Sequence, residues 1–113
     1  MKFKKLLLIA LLAPQCLLAN AASVTGKLVD GGGVDDMFVV VRAANGHEVH
    51  AYCLRKCGSW FRAPDKDGVV ALKPQFKGKK VVLQYVTRMN SDDAIAGEGN
   101  APIEFVVKMD FVK

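Results

Sequence analysis

The chain has 113 residues, of which 51% are hydrophobic, and a formal net charge of +5 at pH 7. This length allows one domain with a modest core. Three lysines fall in the first 21 residues, which contain no acidic residue, so residues 22–113 carry 13 basic and 11 acidic side chains. A balance this close to neutral argues against binding nucleic acid or anionic lipid through overall charge.

The first 21 residues match a cleaved secretory signal peptide. Residues 6–12 form its apolar segment, and its basic n-region contains Lys2, Lys4 and Lys5. An A-x-A cleavage site follows at Ala19-Asn20-Ala21. We therefore expect residues 1–21 to be removed and residues 22–113 to form a single exported domain, either periplasmic or secreted.

The same segment does not match a membrane anchor. A spanning helix needs about 20 unbroken apolar residues, and Pro14 and Gln15 interrupt this run. A lipobox places a small residue directly before its cysteine, whereas Gln15 precedes Cys16. We therefore predict neither a membrane span nor a lipoprotein.

Hydrophobic alternation and β-prone runs predict five strands. They cover residues 24–29, 38–44, 47–54, 79–89 and 103–112. Residues 30–36, between the first two strands, are predicted as a loop, because three consecutive glycines favour no regular element. In the last two strands the residues predicted to face inward are Val81, Leu83 and Tyr85, then Ile103, Phe105, Val107, Met109 and Phe111.

Asn45-Gly46, between the second and third strands, predicts a β-hairpin with a two-residue type I′ turn. In that register Val40 faces Ala51 and Phe38 faces Cys53. Because side chains alternate along a strand, the face assigned to the core carries Phe38, Val40, Val49, Ala51 and Cys53, with Arg42 near the turn. The reverse face carries Val39, Val41, His50, Tyr52 and Leu54.

Residues 55–78 are predicted to be an irregular connection with a helical turn or two between 69 and 76, limited by Pro74. Cys53 and Cys57 are the only cysteines after the signal segment. An exported protein meets an oxidising compartment, so we predict a disulfide between them. Trp60 and Phe61 are expected to cover one end of the core.

Residues 55–80 also carry eight basic side chains: Arg55, Lys56, Arg62, Lys66, Lys73, Lys77, Lys79 and Lys80. As a patch they suit an anionic glycan, a lipid phosphate or an acidic protein. The alternative is a solvated connection in which lysine provides solubility.

Five strands with one irregular connection between the third and fourth resemble an OB-fold, a partly open five-stranded Greek-key barrel. Small exported bacterial proteins with OB-like folds include periplasmic proteins and the B subunits of some toxins. The resemblance implies a mainly β barrel, although Pro74 stands where a regular helix is expected. A small β-sandwich built from the same strands is the alternative.

In an OB-fold, the loops after the first and fourth strands flank the usual ligand-binding face. The resemblance therefore implies an acidic rim of Asp30, Asp35, Asp36, Asp92, Asp93 and Glu98. The reverse face of the hairpin, together with Arg88 on the other face of the fourth strand, supplies a candidate ligand face of Val39, Val41, His50, Tyr52 and Arg88. Such a rim repels nucleic-acid phosphates, and it can bind Ca²⁺ or meet a basic protein surface. The alternative is that these loops are polar only for solubility.

No motif identifies a catalytic residue or a metal ligand. Glu48, His50 and Tyr52 share a predicted face, but no serine or cysteine nucleophile joins them. His47 and His50 point to opposite sides of a strand, so one metal ion does not reach both. We therefore expect no enzyme activity and, calcium at the rim aside, no cofactor.

Two functional hypotheses remain. The first is an exported, non-catalytic binding module that engages a protein or glycan through the candidate ligand face and the acidic rim. The second is a periplasmic inhibitor or immunity protein that blocks a hydrolase or toxin with an acidic loop. Small size, export and a disulfide suit both.

Overall fold

The computed structural model describes residues 21–91 and 94–113. The predicted signal peptide lies outside these residues except for Ala21, which begins the first strand. The described strands are β1 (Ala21–Gly33), β2 (Phe38–Ala43), β3 (Glu48–Tyr52), β4 (Val70–Ala71), β5 (Lys80–Met89) and β6 (Pro102–Phe111). All five predicted strands are therefore present.

The strands close into a five-stranded barrel. Strands β2, β3, β6, β5 and β1 are neighbours in that order, and β1 also pairs with β2. The β3–β6 pair is parallel, and the other described pairs are antiparallel. The predicted mainly β, OB-like barrel is confirmed, and the closed ring replaces the sandwich alternative.

Strand β1 closes the barrel because it pairs with a different neighbour along each half. Residues 21–27 pair with β5, and residues 26–32 pair with β2. The register shifts between Leu28 and Asp30, so Val29 is an extra residue that bends the strand. Gly26 lies where the two pairings overlap, and a Cβ there would collide with the carbonyl oxygen of Arg42. Only glycine allows this approach of the two backbones.

The predicted loop at residues 30–36 is shorter than expected, because the glycines continue β1. Gly32 and Gly33 have φ of 138° and 136°, values that side chains rarely adopt. Gly32 pairs with both β2 and β4. The loop begins only at Val34, and Asp30 is a strand residue.

The predicted hairpin forms, but its register is shifted by one residue. The N–H of Ala43 donates to the carbonyl of His47 at 2.8 Å, and the N–H of Gly46 donates to the carbonyl of Ala43 at 2.9 Å. Of the loop residues 44–46, Gly46 alone has a positive φ, 89°. This is a three-residue loop with glycine at the left-handed position, whereas a type I′ turn needs two positive φ values.

The shifted register reverses the two faces of β2. Val39 and Val41 are fully buried beside Val49 and Ala51, so their assignment to the candidate ligand face was wrong. Phe38 and Arg42 lie on the outer face, opposite Tyr52 and Glu48, so their assignment to the core was wrong. The faces of β3 are as predicted, with Val49, Ala51 and Cys53 inside. Val40 also faces outward, across from His50, although it is only 9% exposed.

A second irregularity moves Val107 out of the core. The pairing of β5 with β6 shifts between Gln84 and Tyr85 and leaves Val107 without a partner. Val107 is 46% exposed, whereas Val106 is 3% exposed. The prediction that Val107 faces inward was therefore wrong, because a bulge changes the phase of the alternation.

The bulge also divides the apolar side chains of β6 between two clusters. Val106 and Met109 belong to the main core inside the barrel, with Leu28, Leu83, Val39 and Val41. Ile103 and Phe105 belong to a smaller outer cluster with Ile95, against which Tyr52, Leu54 and Val86 pack.

The connection between β3 and β5 contains no regular helix, and Val70 and Ala71, predicted within a helical turn, form strand β4 instead. Strand β4 pairs with the end of β1, and Phe61 bridges to Leu72. Pro74 lies in a turn in which Lys77 N–H donates to the proline carbonyl at 3.2 Å. Trp60 and Phe61, the predicted cover, pack against the main core, and Phe76 also packs against it.

A matched pair of neighbouring substitutions tests the β6 bulge. Val106→Asp buries a carboxylate among apolar side chains and should cost about 3 kcal/mol or more. Val107→Asp exposes the same group to water and should cost about 1 kcal/mol, the loss of β propensity. Urea unfolding of both variants measures the difference. Equal losses, or a larger loss at position 107, would restore simple alternation and contradict the bulge.

Candidate functional site

Three rings lie side by side on the outer face of β2 and β3. Phe38 stacks on His50, with ring centroids 4.3 Å apart and planes at 24°. Tyr52 lies 5.3 Å from His50 and 6.4 Å from Phe38 between centroids. His50 is exposed and the other two are half-buried. We call Phe38, His50 and Tyr52 the aromatic face.

This surface continues across the barrel seam onto β6 and β5. Tyr52 pairs with Phe105, and the guanidinium of Arg88 lies 4.6 Å from the centroid of the Phe105 ring. Of the five predicted ligand-face residues, the fold therefore brings His50, Tyr52 and Arg88 onto one surface. Phe38 was missed, because only the correct hairpin register turns it outward.

Loop 90–101 borders the aromatic face and is held by a buried asparagine. The Asn90 side chain is 2% exposed. Its amide donates to the carbonyls of Ile95 at 2.9 Å and Gly99 at 2.8 Å, and its Oδ1 accepts from the Ile95 N–H at 2.8 Å. These bonds satisfy the amide and fix the loop from within. Asn90 was also missed, because an asparagine after a strand usually indicates only a turn.

The acidic rim is only partly assembled. Asp35 and Asp36 lie in loop 34–37, and Glu98 lies in loop 90–101. Asp30 was wrongly assigned to the rim: it belongs to β1, and it borders a depression with Arg42, Glu48 and Lys77. Asp92 and Asp93 lie outside the described residues.

Within residues 21–91 and 94–113, no three histidine, cysteine, aspartate or glutamate side chains are grouped to hold a metal ion. Calcium at the rim therefore stays a prediction.

The pKa of Tyr52 is affected by carboxylates from both flanking loops. Burial raises the pKa of its phenol, and the negative charges of Glu98 and Asp36 raise it further. Both effects disfavour the phenolate, because burial removes water and a nearby like charge repels it. The Tyr52 phenol is therefore partly buried and close to negative charge from both loops.

A cleft of about 740 Å³ lies at the end of the aromatic face. It is lined by residues of the first loop (Asp35, Asp36 and Met37), by Ala94 of the second loop, and by the disulfide segment with Gly58 and Phe61. The predicted disulfide between Cys53 and Cys57 is present, with Cα atoms 5.2 Å apart. The first loop, the second loop and the disulfide thus meet around one opening.

Two consecutive residues inside the disulfide segment have left-handed backbones. Leu54 has φ of 40° and Arg55 has φ of 69°, and each such conformation costs about 1 kcal/mol or more for a residue with a side chain. The disulfide closes this segment, and the Cys53 N–H donates to the Met37 carbonyl at 2.9 Å. Arg55 is thereby held at the cleft beside the two aspartates.

Glu48, His50 and Tyr52 are close together on one strand. All three lie on the outer face of β3, as predicted, but the Glu48 carboxylate accepts from Arg42 Nε at 2.7 Å. A small depression of about 210 Å³ lies beside His50 and Tyr52, and its acidic residues are Glu98 and Glu104. Glu104 is within 3.3 Å of the Thr87 hydroxyl.

No protein-family model, curated protein or solved structure matches this chain. Among the described residues there is no helix of the length and apolarity that crossing a bilayer requires.

Titration of Tyr52 tests the field at the aromatic face. The chain has two tyrosines, so in a Tyr85→Phe background the ultraviolet signal of phenolate reports Tyr52 alone. Its midpoint should lie above the ordinary value of 10.0. Glu98→Gln should lower the midpoint without returning it to that value, because the effect of burial remains. Asp67→Asn, in a remote turn, should leave it unchanged. A midpoint at or below the ordinary value would contradict the arrangement.

Removal of the disulfide should destabilise the domain without unfolding it. The bridge closes a short loop, for which chain entropy gives about 2 kcal/mol. The free energy of unfolding of Cys57→Ala in urea should therefore be lower than that of the wild type by about 2 kcal/mol. A reducing agent should lower the stability of the wild type but not that of the variant. Two alkylatable thiols in the purified, unreduced wild type would show that the bridge does not form.

Proposed function

We propose that this protein is an exported, non-catalytic binding module, and that its aromatic face engages a basic segment of a partner protein. The observation that carries this proposal is the set of three adjacent, accessible rings bordered by carboxylates from two loops. Phe38, His50 and Tyr52 supply the rings, and Asp36 and Glu98 supply the charge felt at Tyr52.

Such a surface suits lysine and arginine side chains. A cation over an aromatic ring gains about 0.5–1 kcal/mol at an exposed site, and nearby carboxylates add attraction and faster association. The rings pack against one another and Asn90 holds the second loop, so little conformational entropy is lost on binding. A glycan is the alternative ligand, because rings also stack on sugars, but a neutral glycan does not need the carboxylates.

Export is supported by the disulfide. Such bonds persist in the periplasm and outside the cell and are rare in the cytosol. The composition of residues 1–21 agrees with a signal peptide. We accordingly propose a periplasmic or secreted protein.

A second candidate function is inhibition of an enzyme or toxin. The observation that favours it is the pre-formed Leu54-Arg55 segment, which the disulfide closes beside an acidic cleft. A loop already fixed in its bound shape binds tightly because little ordering remains to be done. In this case the partner is a single hydrolase or toxin, and binding abolishes its activity.

Charge reversal on the aromatic face tests the main proposal. Immobilised wild-type protein should retain one or a few proteins from periplasmic and culture fractions, and moderate salt should release them. Glu98→Lys should lower the retained amount at least tenfold, because it replaces attraction by repulsion at the border of the aromatic face. Asp67→Lys makes the same change of charge in a remote exposed turn and should retain as much as the wild type.

The same experiment separates the alternatives. Equal retention by wild type and Glu98→Lys would remove the role of the carboxylates, and retention that survives salt and ends after glycan digestion would identify a glycan ligand. Loss of enzymatic activity in a purified partner, in proportion to added wild-type protein, would identify an inhibitor.

A further inference from the structure

Three basic side chains lie side by side on neighbouring strands, away from the aromatic face. Lys27 on β1 is directly opposite Lys80 on β5 and directly opposite Arg42 on β2. All three are exposed, and neighbouring strands are about 4.8 Å apart. We call Lys80, Lys27 and Arg42 the cationic row.

Without a bound ligand, repulsion within the cationic row destabilises the folded protein. Like charges directly opposite each other across a strand pair are destabilising. Arg42 forms an ion pair with Glu48, the next residue across on β3. In the described parts of the chain, no carboxylate lies within ion-pair distance of the Lys27 or Lys80 ammonium.

Two further charged groups approach the end of the row at Arg42. Lys77 and Asp30 border a depression together with Arg42 and Glu48. Asp30 Oδ1 already accepts a hydrogen bond from the Gly31 N–H at 2.8 Å. The four basic side chains outnumber the two carboxylates, so the surface keeps an excess positive charge concentrated at Lys27 and Lys80.

The row borders a concave surface. A depression of about 720 Å³ is lined by Lys27, Arg42 and Lys80, and its other lining residues are Thr25, Gly26, Val29, Ala43 and Ala44. The small residues leave room above the strands, and Thr25 adds a hydroxyl donor. Phe38 and Arg42 are both on β2 but about 13 Å apart along it, so this depression and the aromatic face are separate.

We propose that the cationic row binds a diphosphate group. Of these three adjacent cations only Arg42 has an ion-pair partner, so the row matches a compact anion that carries several negative charges. Lysine and arginine are the side chains that usually donate hydrogen bonds to phosphate oxygens. A nucleic acid instead needs phosphate contacts repeated along an extended track. This row ends at Glu48 on one side, so it accommodates one compact group. The bound anion removes the repulsion between the lysines and stabilises the fold.

Thermal unfolding with inorganic pyrophosphate as the probe tests the proposal. Millimolar pyrophosphate should raise the melting temperature of the wild type, because a ligand that binds the folded state stabilises it. Sodium chloride at matched ionic strength should not raise the melting temperature, and orthophosphate should raise it less than pyrophosphate does. Lys66→Gln, in an exposed turn outside the row, should respond like the wild type.

Two variants give opposite signatures. Lys27→Gln should be at least as stable as the wild type without ligand, because it removes like-charge repulsion, and it should lose the response to pyrophosphate. Glu48→Gln should lower the apparent Kd for pyrophosphate by roughly two- to fivefold, since it frees Arg42 from an exposed ion pair. If Lys27→Gln does not fold, Lys80→Gln replaces it with the same expectation.

Three results would overturn the proposal. The first is an equal rise in melting temperature with sodium chloride. The second is a folded lysine variant whose melting temperature rises with pyrophosphate as much as that of the wild type. The third is a single-stranded oligonucleotide that binds the row more tightly than pyrophosphate does. The row does not depend on the proposed protein-binding function. Glu98→Lys should keep the full pyrophosphate response, so failure of one proposal leaves the other intact.

Discussion

One backbone hydrogen bond, from Ala43 N–H to the His47 carbonyl at the hairpin tip, decides how the barrel is filled. It makes the loop three residues long, and because side chains alternate with a period of two, a different loop length would exchange the faces of β2. In this register Val39 and Val41 complete the core. The same choice turns Phe38 outward, where it stacks on His50 and creates the aromatic face.

Two β-bulges change the direction or the side-chain alternation of their strands. Val29 in β1 and Val107 in β6 are extra residues at bulges. Each bulge lets the two halves of its strand pack in different environments. The bend in β1 lets it pair with both β5 and β2. The phase change in β6 sends Ile103 and Phe105 into an outer cluster, which supports Tyr52 and the loop that Asn90 holds. The candidate site therefore rests on a small apolar base of its own, outside the main core.

The near-neutral charge of residues 22–113 conceals two local fields of opposite sign. Carboxylates from two loops act on Tyr52, whereas Lys80, Lys27 and Arg42 meet across β5, β1 and β2. A field at a binding surface depends on local charges within about a Debye length, roughly 8 Å in physiological salt, and much less on their sum. One barrel thus presents an acidic aromatic surface and a separate basic depression, and each favours ligands of a different class.

Local patterns in the sequence predicted five of the six strands, with close bounds for all but the first, and also the hairpin, the Cys53–Cys57 bridge and the aromatic cover at Trp60 and Phe61. These follow from local signals, namely alternation, turn residues and cysteine spacing. The sequence did not determine the register of the hairpin, because Asn45-Gly46 fits both a two-residue and a three-residue loop. The glycines after Asp30 were misread for a related reason, since pairing with β2 and β4 holds them extended. Three features depend on the three-dimensional pairing of strands: Phe38 lies outside, Asp30 belongs to β1 and not to the rim, and Lys27 lies opposite Lys80 and Arg42. Those outcomes depend on which strands become neighbours, and neighbours far apart in the sequence leave no local signal.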